Sequence, residues 1–305
     1  MDERVMKTVV YILSTDYAGS HYLSLMLGSH SRVMHLGEAK RLKRSFRRQG
    51  VICFTCKDKG TCPVLGGIGP HNVASLYDIV FSRIDPATEV LIDNSKLISG
   101  WADRFLRNGR FQYKVIHLIR DPRALVRRWM IEPPGPKRVS RQFRRWAKIT
   151  WRRPGLSLPA LTGGRTALLM YTWLVQNQRI ESFIKSNRLD SCLVTYRDLA
   201  RNTPGELSRI IEWMGLSFEP GQIEYWNFPH HGTQKDSYEW ILQAKTPYFD
   251  TRWKSFLTPE IIEQISTDPA IRGYLQHLGL TLTGEGLTRS RSDTALHATV
   301  PSPAQ

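Results

Sequence analysis

The segment TVVYILSTDYAGSHYLSLML, residues 8–27, predicts a strand, a short turn and a helix in succession. Residues 8–13 form a continuous apolar, β-branched run of the kind that is buried on both faces of a parallel sheet. Residues 14–20 are small and polar, as in a turn. The apolar residues from Tyr22 to Leu27 then predict a helix that ends at Gly28.

Short apolar runs recur along the chain at residues 90–92, 115–119 and 192–194, and helical patterns at 72–84, 101–108 and 167–185 separate them. Alternating strands and helices predict an α/β fold with a doubly wound parallel sheet flanked by helices. We expect one domain over residues 1–282, with a cysteine-rich loop at 51–70 and a basic insertion at 132–164. Residues 283–305, rich in Thr, Ser, Pro and Ala, predict a disordered tail.

The chain is strongly basic, with 43 Lys and Arg against 27 Asp and Glu in 305 residues and a net charge of +16. Such a charge favours an anionic partner: nucleic acid, an anionic membrane surface or a polyphosphorylated small molecule. No helix-turn-helix, zinc-finger or RNA-binding signature is present, which disfavours nucleic acid. No apolar run reaches the ~18 residues of a membrane span, and a secretory signal is absent, so we expect a cytoplasmic protein that can lie against a membrane.

The turn after the first strand is a candidate anion site, because the free N–H groups and the dipole of a helix N-terminus favour negative charge. Gly19 permits close backbone approach, and Ser20 adds a hydroxyl. The Gly-Lys-Ser/Thr triplet of a Walker A loop is missing. Alone, the pattern is also that of an ordinary strand-to-helix turn.

The neighbouring sequence adds to this interpretation. Residues 14–23, with 28–33 and Leu36-Gly37-Glu38, resemble the opening of the sulfotransferases that use 3′-phosphoadenosine 5′-phosphosulfate (PAPS). The resemblance implies a P-loop-like sulfotransferase fold. It also departs from the family, because Tyr17 stands at the usual Arg or Lys and His21 at the usual second Thr. The residues that it assigns to the phosphosulfate are Tyr17, Ala18, Gly19, Ser20, His21 and Tyr22.

A second match is His-Leu-Ile-Arg-Asp-Pro-Arg-Ala at residues 117–124, where the resemblance assigns Arg120 to the 3′-phosphate of the donor. Guanidinium groups pair with phosphate through two parallel hydrogen bonds, which suits this role. A structural Arg120–Asp121 ion pair is the alternative. Arg128 stands where the family often has a phosphate-binding Ser. Residues 193–199 with Pro204 and 210–216, and residues 231–235 with 250–254, also resemble the family, and Tyr196 is counted with the donor-binding residues.

The residues proposed for catalysis are Glu38 and Lys96. The resemblance to enzymes with Gly-Glu at this position implies that Glu38 accepts the acceptor's proton. Lys96 ends a third match, Asp93-Asn94-Ser95-Lys96, and is expected to face the transferring sulfonate. A surface carboxylate that opens a helix over residues 38–48 is the alternative for Glu38. His35 is a second candidate base.

Cys53, Cys56 and Cys62 form a Cys-x2-Cys-x5-Cys pattern on an apparent loop. Three thiolates at this spacing suit tetrahedral Zn²⁺, with His71 as a candidate fourth ligand. The alternatives are three unliganded thiols or one disulfide. A zinc ion here would be structural.

The resemblance therefore implies a PAPS-dependent sulfotransferase that releases 3′-phosphoadenosine 5′-phosphate (PAP). Its partners would be the nucleotide donor and an anionic or hydroxylated acceptor, with a hydroxyl or amine on a carbohydrate, a lipid-linked molecule or a small natural product. Two alternatives stay open. One is a non-catalytic nucleotide- or nucleic-acid-binding protein on the same fold, and the other is a P-loop-type nucleotide kinase.

Overall fold

The computed structural model describes residues 6–42, 53, 55–56, 62–69, 71–96, 98–106, 109–233, 243–244 and 248–289. Its internal contacts divide the chain into two units. Unit 1 comprises Met1–Ile119 with Gln176–Phe249, and unit 2 comprises Arg120–Val175 with Asp250–Gln305.

Unit 1 is built on a sheet of five parallel strands. These are β1 (Thr8–Ser14), β2 (Val33–His35), β3 (Val90–Asp93), β4 (Gln112–Ile119) and β5 (Asp190–Thr195), in the order β2-β3-β1-β4-β5. In register, Val10 of β1 lies between Ile92 and Lys114. The chain therefore leaves β1 toward one side of the sheet and later continues on the other. In such a sheet, ligands bind outside the carboxyl ends of the strands where the direction switches, which here is the end of β1. The predicted doubly wound sheet is confirmed.

The α-helices vary widely in length. In chain order they are α1 (Ser20–Leu27), α2 (Leu76–Phe81), α3 (Asp103–Phe105), α4 (Pro122–Met130), α5 (Pro136–Arg152), α6 (Ser157–Thr162), α7 (Gly164–Ser186), α8 (Tyr196–Arg201), α9 (Thr203–Trp213), α10 (Trp253–Phe256), α11 (Pro259–Thr267) and α12 (Pro269–His277). The predicted helix over 101–108 is shorter, because its first part is a π-helical turn, Ile98–Ala102. Among the residues described, no helix combines the length and the apolarity that crossing a membrane requires.

The first strand explains the position of the core of unit 1. Successive side chains of a strand point to opposite faces of its sheet. Val9, Tyr11 and Leu13 accordingly enter one buried cluster, and Val10 and Ile12 enter another. The continuous apolar run at 8–13 is thus covered on both faces, as the sequence predicts.

Unit 2 packs α4 against α10 and α11. It also holds an antiparallel hairpin of β6 (Leu280–Thr283) and β7 (Gly286–Arg289). The buried Arg123 donates to the Thr283 carbonyl over 2.7 Å, which ties the hairpin to α4. The prediction of a tail from residue 283 is therefore wrong for 283–289, and residues 290–305 lie outside the described part. The basic insertion is helical, comprising α5, a 3₁₀ turn at Pro154–Leu156, and α6.

Candidate active site

The turn between β1 and α1 has an unusual backbone. Tyr17 has φ = 68° and Gly19 has φ = 97°. A non-glycine residue in the left-handed region is uncommon, and such residues cluster at functional sites. A Cβ on Gly19 would lie 2.9 Å from the ring of Tyr196, the first residue of α8. The structure thus brings two predicted donor-binding residues together, and it requires glycine at position 19.

Several polar side chains at this turn are buried. The hydroxyl oxygens of Ser14, Thr15 and Ser20 have no hydrogen-bond partner among the described residues. Buried polar groups in proteins are nearly always hydrogen-bonded, so these hydroxyls fit a site completed by a polar ligand. Ala18 and Tyr22 pack their side chains against the core. These two residues can therefore contact an anion bound at this turn through their backbone N–H groups.

Glu38 lies at the centre of a buried ion-pair cluster, with only 5% of its surface exposed. Its Oε1 accepts from His21 Nε2 over 3.1 Å and from Lys96 Nζ over 3.3 Å. Its Oε2 pairs with Arg41 Nε over 2.7 Å. His21 belongs to the first turn of α1, and Lys96 follows β3. The structure therefore joins both predicted catalytic residues to the predicted phosphate-binding turn.

The same contacts set the charges of the cluster. Burial alone would raise the pKa of Glu38, but the hydrogen bond from His21 and the charges of Lys96, Lys40 and Arg41 outweigh it and hold the pKa well below its ordinary range. Burial lowers the pKa of His21, although the hydrogen bond to Glu38 opposes this. At neutral pH, Glu38 is therefore a carboxylate and His21 a neutral imidazole that donates from Nε2.

The helix predicted to begin at Glu38 starts as a 3₁₀ turn, Ala39–Arg41, and its predicted residues 43–48 lie outside the described part. The second candidate base, His35, is a strand residue of β2 with 1% of its surface exposed. Ser24 Oγ is hydrogen-bonded to its Nδ1. Burial lowers the pKa of His35 well below its ordinary value. His35 is thus enclosed in the interior next to Gly37, whose N–H donates to His35 Nδ1 over 3.3 Å.

The segment after β3 is held by Asp93. Its carboxylate accepts from Tyr77 Oη over 2.8 Å and from Trp101 Nε1 over 2.7 Å. Lys96 has φ = 56° and is, after Tyr17, a second non-glycine residue of the site in the left-handed region. Asn94 is fully buried, and neither its amide oxygen nor its amide nitrogen has a partner among the described residues. Sequence reasoning assigned Asn94 no role; its position between two matched residues, Asp93 and Ser95, was the available signal.

Arg120 belongs to unit 2 and is held by contacts within that unit. Its Nη2 donates to Asp250 Oδ2 over 2.8 Å, and its carbonyl accepts from Trp173 Nε1 over 2.9 Å. Asp121, the alternative partner, binds Arg123 through both carboxylate oxygens and caps α4. Arg128 lies in the last turn of α4. The assignment of Arg120 and Arg128 to a 3′-phosphate stays a prediction.

Comparison with known proteins gives the fold. No family model and no curated protein matches the chain. Among solved structures, a sulfotransferase domain from the curacin biosynthetic pathway aligns over 86% of this chain and 97% of its own, with a TM-score of 0.53 and 15% identity. The fold is that of a sulfotransferase. A sulfotransferase domain from the olefin synthase of Synechococcus PCC 7002 also aligns, over 88% of this chain and 96% of its own, with a TM-score of 0.50 and 20% identity.

This sulfotransferase fold carries a second cluster, formed by Cys53, Cys56, Cys62 and His231. One ligand atom from each of the four lies within 4.8 Å of the others. The fourth member of the cluster is His231, so the prediction of His71 is wrong. His231 lies 169 residues after Cys62, and the spacing of the cysteines gives no indication of so distant a ligand. The alternative of a disulfide is wrong too, since none joins Cys53, Cys56, Cys62 and Cys192, all in described positions. Burial raises the pKa of the Cys53 thiol to about 12.

Proposed function

We propose that the protein transfers the sulfonate group of PAPS to a hydroxyl or amine of an acceptor, releasing PAP. The observation that carries this proposal is the buried cluster of Glu38, His21 and Lys96 beside the N-terminus of α1, on a sulfotransferase fold. It supplies a carboxylate and a cation, 3.3 Å apart, and His21 joins them to the first turn of α1.

The reaction moves one proton and exchanges one bond to sulfur. Glu38 takes the proton from the acceptor hydroxyl or amine, whose oxygen or nitrogen forms a bond to sulfur. The bond from sulfur to the bridging oxygen breaks, and PAP leaves with the electron pair. Lys96 stabilises the charge that develops on that oxygen, as cations do in phosphoryl transfer.

The ion pair between Lys96 and Glu38 bears on the strength of the base. A carboxylate with a depressed pKa is a weak proton acceptor. When Lys96 turns from Glu38 to the sulfonate, Glu38 loses one of the cations that depress its pKa. Donor binding would thereby make Glu38 a stronger base. His21 would still orient it.

The same proposal assigns the residues that bind PAPS. The turn from Tyr17 to Tyr22 would hold the phosphosulfate, and Arg120 with Arg128 the 3′-phosphate. Because Tyr17 has no positive charge, Lys96 would supply the cation that the family places in this loop. The cysteine cluster would hold a structural zinc ion that takes no part in the sulfonate chemistry.

The composition of the basic insertion supports the proposal that the acceptor lies at an anionic membrane surface. Helix α5 carries seven Lys and Arg between residues 137 and 152. The side chains of Phe143 and Trp151 are 66% and 85% exposed among these charges. Basic helices with exposed aromatic side chains bind anionic lipid surfaces in this way.

The experiment is calorimetric titration with PAP, followed by transfer of labelled sulfate from PAPS to an acceptor library. We expect PAP to bind the wild type and Arg120→Ala to weaken it at least about tenfold, because a charge-assisted contact contributes about 1.5–3 kcal/mol. The control is Arg272→Ala, an exposed arginine on α12. Thermal melting checks that both variants fold. Failure of the wild type to bind PAP would refute the proposal, and unchanged binding by folded Arg120→Ala would refute the role of Arg120.

A further inference from the structure

A short segment, His230–Thr233, lies between the cysteine loop and the residue that precedes Glu38; we call it the strap. Thr233 pairs with Gly37 in a parallel bridge and with Cys53 in an antiparallel bridge. Its N–H donates to the Leu36 carbonyl over 2.9 Å. The strap thus links the cysteine loop directly to the Leu36-Gly37-Glu38 segment.

The four side chains of the second cluster have the spacing of a metal site. His231 Nδ1 lies 3.7 Å from Cys53 Sγ, 3.4 Å from Cys56 Sγ and 3.7 Å from Cys62 Sγ. In a tetrahedral zinc site with the usual bond lengths, the sulfur-to-nitrogen edge is about 3.6 Å. The donor set, three thiolates and one imidazole, is one that structural zinc prefers.

Further contacts hold the ligands in place. The Leu65 N–H donates to Cys62 Sγ over 3.4 Å, and the His230 N–H donates to Thr55 Oγ1 over 2.7 Å. Such surrounding hydrogen bonds orient metal ligands and tune their affinity. The loop and the strap are therefore arranged as two halves of one site.

Gly37 transmits the position of the strap to Glu38. It has φ = 66°, and a Cβ at this residue would lie 2.3 Å from the Thr233 carbonyl oxygen. On its other side, the Gly37 carbonyl accepts from the Asn94 N–H over 2.9 Å. Gly37 is thus held between the strap and the segment that carries Lys96, and the strap contacts both residues that immediately precede Glu38.

We propose that a zinc ion bound by Cys53, Cys56, Cys62 and His231 fixes the strap and so positions Glu38 for proton transfer. His231 is then a positioning residue that acts through Thr233 and Gly37. The effect on turnover rests on the proposed sulfonate transfer, whereas the zinc site does not.

The test compares three variants of the full chain with the wild type. His231→Ala removes a ligand, His231→Cys restores a fourth thiolate, and His71→Ala is the control histidine near the loop. Zinc content is measured by elemental analysis, and coordination by the visible absorption of the Co²⁺-substituted proteins. Hydrogen–deuterium exchange of residues 36–42 reports on Glu38 without any activity, and PAP affinity and kcat complete the set.

We expect about one zinc per wild-type chain, with a tetrahedral Co²⁺ spectrum that shows thiolate charge transfer. His231→Ala should lose zinc, lose protection at residues 36–42 and lower kcat about 10–100-fold, the usual cost of disturbing the groups that orient a site. Its PAP affinity should stay within twofold. His231→Cys should restore zinc, protection and kcat, and His71→Ala should match the wild type.

A wild type without zinc, or His231→Ala that keeps it, would overturn the site. Loss of zinc with unchanged protection and kcat would overturn the link to Glu38. If His231→Ala does not fold, stepwise chelation of the wild type gives the same decision, since zinc release must then track the loss of protection. A wild type that binds zinc but neither PAP nor PAPS would refute the proposed function and leave the zinc site standing.

Discussion

At the level of single residues, Glu38 is a buried carboxylate whose contacts both restrain it and keep it ionised. Three side chains from different segments, His21, Arg41 and Lys96, contact its two oxygens. A buried carboxylate left without such partners would be costly, so its surroundings keep it ionised. The proposed chemistry uses that charge.

Replacing Glu38 by Gln tests the assigned base. The amide keeps the shape of the side chain but cannot accept the acceptor's proton, so we expect kcat to fall about 10²–10⁴-fold. PAP affinity should change less than about threefold, because the proposal gives Glu38 no donor contact. Steady-state kinetics and calorimetry measure the two quantities.

Glu263→Gln, an exposed glutamate of α11, is the matched control and should keep wild-type turnover. Full turnover by Glu38→Gln would show that another group is the base. His21, which is neutral and already bonded to Glu38, would then be the next candidate.

At the level of elements, the β1–α1 turn and the basic insertion contrast in exposure. The turn is enclosed by Tyr196 and buried hydroxyls, and its backbone conformation suits a small anionic group. Helices α5 and α6 are joined at Ser157, whose carbonyl accepts from Trp146 Nε1 and whose hydroxyl is hydrogen-bonded to that of Thr150, and they leave large apolar side chains exposed. Such a surface suits an extended partner.

The double variant Phe143→Ala/Trp151→Ala tests the membrane proposal. We expect the wild type to sediment with vesicles that contain phosphatidylserine and not with neutral vesicles. The double variant should bind at least tenfold more weakly, because burying an aromatic side chain contributes about 1.5–3 kcal/mol. Phe228→Ala, an exposed aromatic of unit 1, should bind like the wild type. Equal binding by all three proteins would contradict the proposal.

At the level of the whole molecule, the net charge of +16 must be reconciled with the proposal that the ligand is a small nucleotide. Much of the excess lies between residues 120 and 153, where twelve Lys and Arg accompany two acids. In unit 2, Glu132 pairs with Arg145 over 3.2 Å, and Asp250 pairs with Arg120. The net charge already counts these acids, so the pairs leave the excess unchanged, and that excess raises the affinity for anions in general.

Salt dependence separates the donor from nucleic acid. Between 50 and 200 mM salt, we expect PAP affinity to fall less than about tenfold, because few charges take part. A nucleic-acid interface with 6–10 phosphate contacts would lose about 10³–10⁵ in affinity over the same range. Titrations with PAP and with a 20-nucleotide RNA measure both. Tight, steeply salt-dependent RNA binding without PAP binding would favour the non-catalytic alternative.

The local pattern of the chain was enough to predict the sheet and the turn between β1 and α1. The β-branched run at 8–13 predicted a strand buried on both faces, and the small residues that follow predicted a turn before α1; both are present. Strand and helix periodicities depend on neighbours within a few residues, so they can be read from the chain. The prediction of a disordered tail was wrong for residues 283–289, because these residues form a two-strand hairpin whose stability depends on packing against α12.

The contacts that join distant segments were decided by the tertiary structure. His231 meets Cys53 across 178 residues, Lys96 meets Glu38 across 58, and Arg120 meets Asp250 across 130. No periodicity links such positions, and their approach follows from parallel strands ending at one edge and from the strap pairing with Gly37. The sequence could therefore name Glu38, Lys96 and the three cysteines, whereas their partners depended on the packing of the whole chain.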